Sequence, residues 1–340
     1  MHSELTNHWK KYLVLIDDKD KDIYFTEEYV NLYASKEDSP NCAVCTEGDK
    51  VYLVPFLERK ISEFKDFETA YGYGGPITNS DDREWIGKAA KEVDNLLAAN
   101  GYICGFQRLH PFIPTKDHLS DGTKILFDRE TVYIDTLVSE EDIWNDQISS
   151  KNRNMIRKAE KNGLVYKAEY DFESLEEFKE LYKATMTRLD AERFYFFDDE
   201  YFKRFKDSFK GSSFLGTVRK DDKLICAAIF MYSKKYGHYH LEGSDSDFSG
   251  YGANNLLLWK TACEMNNLGI EKFHLGGGYD TSPDNSLLKF KKAFSKNTLE
   301  FFIGKCIFNK KEYDRICNEW ELKNPEKVAL FGNRLLKYRY

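Results

Sequence analysis

Lys291 sits inside the run Ser286-Leu-Leu-Lys-Phe-Lys-Lys-Ala-Phe-Ser295, a short distance after the triplet Gly276, Gly277 and Gly278. Read as a helix, the run places Leu287, Phe290 and Phe294 on one face, and Lys289, Lys292 and Lys296 on another. Lys291 falls four residues after Leu287, beside the apolar face. Its ammonium can turn inward and stabilise negative charge developing on a carbonyl under attack. The plainer alternative is a surface lysine laying its stem along apolar side chains. The triplet follows Phe273-His-Leu275, which reads as a strand with His274 beside the glycines. Glycine gives up side-chain contacts and backbone entropy, so three in succession point to close approach of a ligand or of another backbone.

A second constellation runs Tyr236-Gly-His-Tyr-His-Leu-Glu-Gly-Ser-Asp245, then Gly250-Tyr-Gly-Ala-Asn-Asn-Leu-Leu-Leu258. It reads as strand, glycine-bearing loop and helix, with Asn254 and Asn255 at the helix start. Free backbone N–H groups there suit a phosphate or a carboxylate, although an ordinary strand–helix connection would look the same. The spacing matches neither a P-loop nor the dinucleotide G-x-G-x-x-G pattern. His238, His240 and Glu242 alternate along the strand and are expected on one side. His-x-His-x-Glu alone could hold a metal, but no Cys or Asp cluster flanks it, so a hydrogen-bonded site lining without metal is expected. His240 and Glu242 are the candidates for taking a proton from an attacking amine. No Gly-x-Ser-x-Gly elbow appears, so direct transfer fits better than a covalent enzyme intermediate.

The third constellation, Lys151-Asn-Arg-Asn-Met-Ile-Arg-Lys-Ala-Glu-Lys161, is strongly basic in a chain of net charge −7. Arg153 and Arg157 share a helical face and could grip a diphosphate or RNA phosphate; a solvated face is the alternative. The acidic total argues against a general polyanion binder, and no stable DNA binding is expected. No apolar run approaches the roughly 20 residues of a membrane span, and no secretory leader is evident, so a cytoplasmic protein is expected. The seven cysteines are scattered. Cys42 and Cys45 form the only C-x2-C, inside a predicted strand, which suits buried thiols better than zinc. Aromatic residues make up 15% of the chain, enough for packed cores or for a groove holding a sugar or nucleobase.

Helical and strand-like patterns alternate from end to end, which indicates an α/β (α+β) architecture. The first half is expected to run helix 25–34, a hairpin of strands 41–46 and 50–59, helix 81–99 and strand 102–108. A second hairpin, 124–127 with 131–136, closes it. The second half carries helices 140–149 and 151–162, strand 164–169, and helices 175–189 and 199–209. A meander follows at 214–219, 224–232 and 236–242, then helix 253–267, strand 272–275, helix 285–294 and strand 299–307. Two helices, 311–321 and 325–337, end the chain. The length of 340 residues suits two domains, divided here as 1–138 and 139–340.

Taken together, these segments resemble the Fem family, the GNAT-like aminoacyltransferases of peptidoglycan bridge formation. The resemblance rests on Tyr71-Gly-Tyr-Gly-Gly-Pro76, Phe106-Gln-Arg-Leu-His-Pro111, the basic run continued to Gly163, and Thr185-Met-Thr-Arg188. It continues through Tyr239-His-Leu-Glu-Gly-Ser244, Gly252-Ala-Asn-Asn-Leu-Leu257, His274-Leu-Gly-Gly-Gly278 and Leu288-Lys-Phe-Lys-Lys-Ala-Phe-Ser295. It implies two GNAT-like domains with a cleft between them and no tightly bound cofactor. The co-substrate would be an activated acyl donor, and the acceptor an amine on a nucleotide- or lipid-linked sugar precursor, met in the cytoplasm or at the membrane surface. Phe290 and Lys291 fall on the family's Phe-Lys pair, where the lysine stabilises charge at the reacting carbonyl. Arg153 and Arg157 would meet the acceptor's phosphates, and Tyr73, Arg108 and His110 would line the cleft. The long charged helical hairpin of many tRNA-using members is missing from the sequence, which leaves aminoacyl-tRNA and an acyl-CoA or carrier thioester both open as donor. A catalytically silent precursor-binding protein and an RNA-binding module are the competing readings.

Overall fold

The computed structural model describes residues 1–280, 282 and 284–340. The chain divides into two compact units, one formed by Met1–Asp128 with Glu300–Tyr340 and the other by Arg129–Leu299. This differs from the division at residue 138, because the last forty or so residues return to the first unit.

The first unit opens with β1 (His2–Thr6), α1 (Lys10–Leu13) and α2 (Glu27–Leu32). Next come β2 (Asp38–Glu47), β3 (Lys50–Ile61), β4 (Phe64–Glu68), the short β5 (Ile77–Thr78), α3 (Arg83–Ala99) and β6 (Tyr102–Arg108). β1 to β4 pair antiparallel in sequence order, and β4 pairs parallel with β6. The β2–β3 turn is tight because Gly48 takes φ +62°. α3 starts where Asp82, rather than Ser80 or Asp81, accepts the Trp85 N–H at 3.1 Å. Its buried stripe of Trp85, Ile86, Ala89, Val93 and Leu97 packs with Cys45, Val54 and Phe67 of the strands. Cys42 and Cys45, three apart on β2, are free and buried. Burial pushes both thiols up.

The second unit takes up the chain within β7 (Lys124–Asp135), which is continuous where a hairpin was predicted. Asp128-Arg-Glu130 has no glycine, and none of its residues takes a positive φ that would turn the chain. α4 (Glu140–Asp142) leads into a π-turn at Ile143–Gln147, then α5 (Ser150–Lys161) and β8 (Leu164–Glu169). After α6 (Leu175–Arg188) and α7 (Asp199–Ser208) come β9 (Ser213–Lys220), β10 (Lys223–Tyr232) and β11 (Tyr236–Ser244). α8 (Ala253–Asn267), β12 (Lys272–Gly277) and α9 (Ser286–Lys292) follow. The strand order is β7-β12-β11-β10-β9-β8, with only β11 and β12 parallel, joined through α8. One face is covered by α5 and α8 through Ile156, Leu256, Leu257 and Met265. The other is covered by α6 and α7, so closely that a Cβ on Gly243 would lie 2.7 Å from the Tyr182 nitrogen.

The chain then returns to the first unit with β13 (Thr298–Ile307), α10 (Lys310–Lys323) and α11 (Pro325–Phe331). β13 pairs antiparallel with β6, from Ile303 opposite Arg108 to Ile307 opposite Cys104. Near the end, Arg339 is buried against Asp66 and donates to Glu68 Oε1 at 2.6 Å. A buried Asp66 without that guanidinium would be an uncompensated charge, so this clasp ties the C-terminal segment to β4. No helix among the described residues is long and apolar enough to cross a membrane.

Candidate active site

The side chains with unusual chemistry in the second unit gather where β10, β11 and β12 meet α8 and α9. Two irregularities in the strands create the arrangement. In β11, Ile229 faces Leu241 but Phe230 faces Tyr239, so His240 is an extra residue in a bulge. A bulge reverses the alternation of side chains beyond it. Glu242 therefore shares a face with Tyr239 and meets Asn254 of α8, while His240 turns to the helices on the other side. The expectation that His238, His240 and Glu242 point one way is corrected by that single inserted residue.

The second irregularity is in β12, where the register to β7 shifts between His274 and Gly276, and Gly276 takes φ +75°. Gly277 lies so close to β7 that a Cβ there would be 2.8 Å from the Glu130 carbonyl oxygen. At Gly278 a Cβ would sit 2.4 Å from the Asn285 side chain. Of the two uses foreseen for the triplet, the structure shows approach of the chain's own backbone. Asn285 Oδ1 accepts the Leu288 N–H at 3.0 Å and so caps the first turn of α9. Packing buries Leu288, Lys291 and Phe294 and leaves Leu287 36% exposed. Lys291 thus lies on the inward face itself rather than beside it.

Lys291 is 7% exposed and its Nζ donates to the Gly277 carbonyl oxygen at 2.8 Å. Its ammonium stands 5.8 Å from the centre of the Tyr239 ring. Burial lowers its pKa to about 7, with Glu242 drawing it back up and Arg129 pressing it further down. Glu242 accepts from Asn254 Nδ2 at 3.1 Å. Burial raises its pKa above the ordinary carboxylate value, against the opposing hydrogen bonds of Ser244 and Asn254 and the charge of Arg188. The Cys226 thiol completes the wall, 3.0 Å from Asn254 Oδ1, and burial beside Glu242 pushes its pKa well up. It is a donor here, not a thiolate.

A cavity of about 290 Å³ opens at this place, lined by Arg188, Ser244, Gly252, Asn254, Asn255 and Phe290 among others. Gly252, at φ +80°, starts α8 with no side chain capping the first turn. A Cβ at Gly252 would be 2.6 Å from the Met155 carbonyl oxygen, so the chain can enter the helix here only as glycine. The first-turn residues Ala253, Asn254 and Asn255 thus line the cavity together with Arg188, an arrangement suited to an anionic group. Arg188 was missed as a site residue by sequence reasoning. Its signal was Thr185 one turn earlier, whose Oγ1 accepts the Ser244 N–H at 2.9 Å and ties α6 to the end of β11.

The other candidates are held mainly by partners within the fold. His240 is held by the Tyr201 hydroxyl at 2.9 Å and stacks on Phe205, and burial and then His238 lower its pKa to about 3. It is a neutral ring packed under α7. His274 is buried, its ring 5.8 Å from that of His238. Asn255 faces inward and donates to Asn152 Oδ1 at 3.1 Å, joining α8 to α5. Arg153 is tied to the chain's own backbone. Nη1 donates to the carbonyls of Trp144, Asn145 and Ile148, at 2.9, 2.9 and 2.7 Å, satisfying the end of the π-turn. Arg157 lies over the Trp144 ring at 5.2 Å, and its Nη1 donates to Asn154 Oδ1 at 3.3 Å.

In the first unit, His110 Nε2 pairs with buried Asp22 at 2.8 Å while Nδ1 accepts from Phe112 and Ile113 N–H. Both ring nitrogens hold the fold together. Arg108 donates to Glu68 Oε2 at 3.0 Å and to the Thr69 carbonyl, and Tyr73 packs edge-on against Tyr24 and Phe301.

Residues 149–292 match the family model described as an acetyltransferase (GNAT) domain. No curated protein matches the chain by sequence. Among solved structures, FemX superposes with a TM-score of 0.73 at 14% identity, covering 93% of this chain and 100% of FemX. A tandem GNAT protein from the clavulanic acid biosynthesis pathway gives 0.54 at 9% identity, covering 90% of this chain and 99% of its own. The C-terminal domain of a putative lysylphosphatidylglycerol synthetase from Agrobacterium fabrum gives 0.54 at 13% identity, covering 84% and 89%. Glu242, Lys291 and the residues that line the cavity all fall in the segment similar to a GNAT acetyltransferase domain, and the chain has a tandem-GNAT fold of the Fem type.

Proposed function

We propose that the chain transfers an acyl or aminoacyl group from an activated donor to an amine on a sugar-linked cell-envelope precursor, forming an amide. The observation that carries this reading is the buried Lys291 ammonium, hung from the Gly277 carbonyl within electrostatic reach of Glu242. An amine attacking an ester or thioester carbonyl must lose a proton while the carbonyl oxygen gains negative charge. Glu242, with its pKa raised, is a stronger base than an ordinary carboxylate and takes the proton. Lys291 faces the developing oxyanion from a site of low dielectric, where a fixed charge acts most strongly. The leaving ribose oxygen or thiolate sulfur departs with a proton, and no covalent enzyme intermediate is needed.

The donor's anionic portion is assigned to the cavity at the start of α8, beside Arg188. The acceptor class rests on the resemblance to Fem enzymes, whose acceptors are amines on nucleotide- or lipid-linked sugar peptides. A thioester donor is the second reading, favoured by the likeness to a tandem GNAT protein whose structure was determined without AcCoA. Intact-mass analysis of a panel of nucleotide-linked amino sugars and muropeptide precursors, incubated with charged tRNA or with acyl-CoA, separates the two. Mass gain from charged tRNA alone supports aminoacyl transfer, and gain from the thioester alone supports N-acyl transfer. No gain with either donor across the panel refutes the proposal.

A further inference from the structure

Two neighbouring carbonyls at the end of β12 each receive a cation. Gly277 O takes the Lys291 ammonium, and Gly278 O takes Nη1 of Arg129 at 2.8 Å. Arg129 precedes by two residues the Thr131 that pairs with Gly277. Its side chain runs back along the glycines so closely that its Cδ would be 2.9 Å from a Cβ on Gly277. Gly278 lies one residue past β12, where the ladder to β7 no longer holds it. The peptide that presents Gly277 O to Lys291 is therefore fixed on one side by the ladder and on the other by a guanidinium.

We propose that Arg129 is the positioning residue of this site: it clamps the Gly278 carbonyl and so holds the peptide from which Lys291 is hung. What Lys291 does for turnover rests on the acyl-transfer reading; the clamp does not. A bidentate-capable guanidinium suits the task because its planar donors leave less freedom than an ammonium would.

The same placement puts a second positive charge beside Lys291. The titratable groups that face Lys291 are Glu242 and Tyr239 from β11 and Arg129 from β7. On α9, Lys289 and Lys292 point outward to Asp284 and Glu130, at 2.8 and 2.7 Å. Of these groups, Arg129 opposes the ammonium form and Glu242 favours it. Burial is the main cause that lowers the Lys291 pKa, and Arg129 adds to it in the same direction while its guanidinium holds the Gly278 carbonyl.

The test is the titration of the Lys291 side chain by NMR in protein carrying ¹³C-labelled lysine, with the signal assigned through its loss in Lys291→Met. In Arg129→Met the midpoint moves up by about one pH unit, as expected when a nearby like charge is removed. Arg129→Gln, which keeps a donor for Gly278 O without the charge, shows the same upward shift but loses less turnover than Arg129→Met. Arg129→Lys keeps the parent midpoint and recovers part of the turnover. A midpoint unmoved in Arg129→Met and Arg129→Gln overturns the proposal. So does measurable and equal turnover in Arg129→Met and the parent; where neither protein turns over, the acyl-transfer reading has failed and the midpoint alone decides on the clamp. If Arg129→Met does not fold, the Gln and Lys variants decide by the same midpoint comparison. The titration is read without substrates, so failure of the clamp and failure of the acyl-transfer reading are distinguished.

Discussion

Replacing Lys291 with Met should make the protein more stable at pH 6 while abolishing turnover. In the folded chain the amine binds its proton only below about 7, against 10.5 for an ordinary lysine. Between those values the unfolded chain holds the extra proton, so parent stability rises with pH across the window. Below about pH 7 the penalty is complete, and at about 1.4 kcal/mol per unit it amounts to roughly 5 kcal/mol. Met has a similar volume and no charge to bury. Against the gain stands loss of the bond to Gly277 O, a charge-assisted contact of about 1.5–3 kcal/mol, together with the charge that balanced Glu242. The net expectation is a variant more stable by ~2 kcal/mol at pH 6, or about 4–8 °C in Tm for a unit of this size. By pH 10 the advantage disappears or reverses, because the parent amine is then neutral in the folded state. Thermal melts of both proteins from pH 6 to pH 10 measure the difference directly. A difference that is the same at both ends would refute the reasoning, because it would mean that Lys291 titrates as a solvated lysine does.

Glu242→Gln keeps the shape and the Asn254 contact but cannot take a proton, so turnover should fall by about 10²- to 10⁴-fold, measured at saturating substrates. In the parent, the acid limb of the rate profile should lie above the ordinary carboxylate range; a limb at the value of an exposed glutamate removes Glu242 as the base. Arg153→Ala leaves the three carbonyls at the end of the π-turn without their donor and should cost about 2 kcal/mol in urea unfolding. Precursor affinity and its salt dependence should be unchanged in that variant; a flattened salt slope would return Arg153 to the role of a phosphate contact.

Much of the element order was legible because local patterns carry it. Strands β6 and β8 and helix α8 occur where hydrophobic periodicity and glycine stops put them. Lys291 was singled out by its place beside an apolar stripe behind three glycines, but spacing alone left a site lysine and a surface lysine both open. For Arg153 and Arg157 the sequence left the partner open, because a basic run looks alike whether its guanidinium groups meet solvent, phosphate or the chain's own carbonyls. The segment 124–136 looked like a hairpin because its polar centre resembles a turn, yet β7 runs straight through it.

What the sequence by itself determined about this protein is the alternation of helices and strands and the glycines that the backbone requires, with Lys291 and Glu242 named as candidates for the site. These follow from φ limits and from the period of apolar residues, both of which act over a few neighbours. The tertiary structure alone decided which groups share a face. One extra residue in β11 separates Glu242 from His240, and the packing of α9 against β12 decides that the face carrying Lys291 is the buried one. It also decided that Arg129, more than a hundred residues from the glycines it holds, belongs to the site, and that residues 300–340 belong with the first unit. Such pairings depend on register and on contacts between distant segments, and no local pattern encodes them.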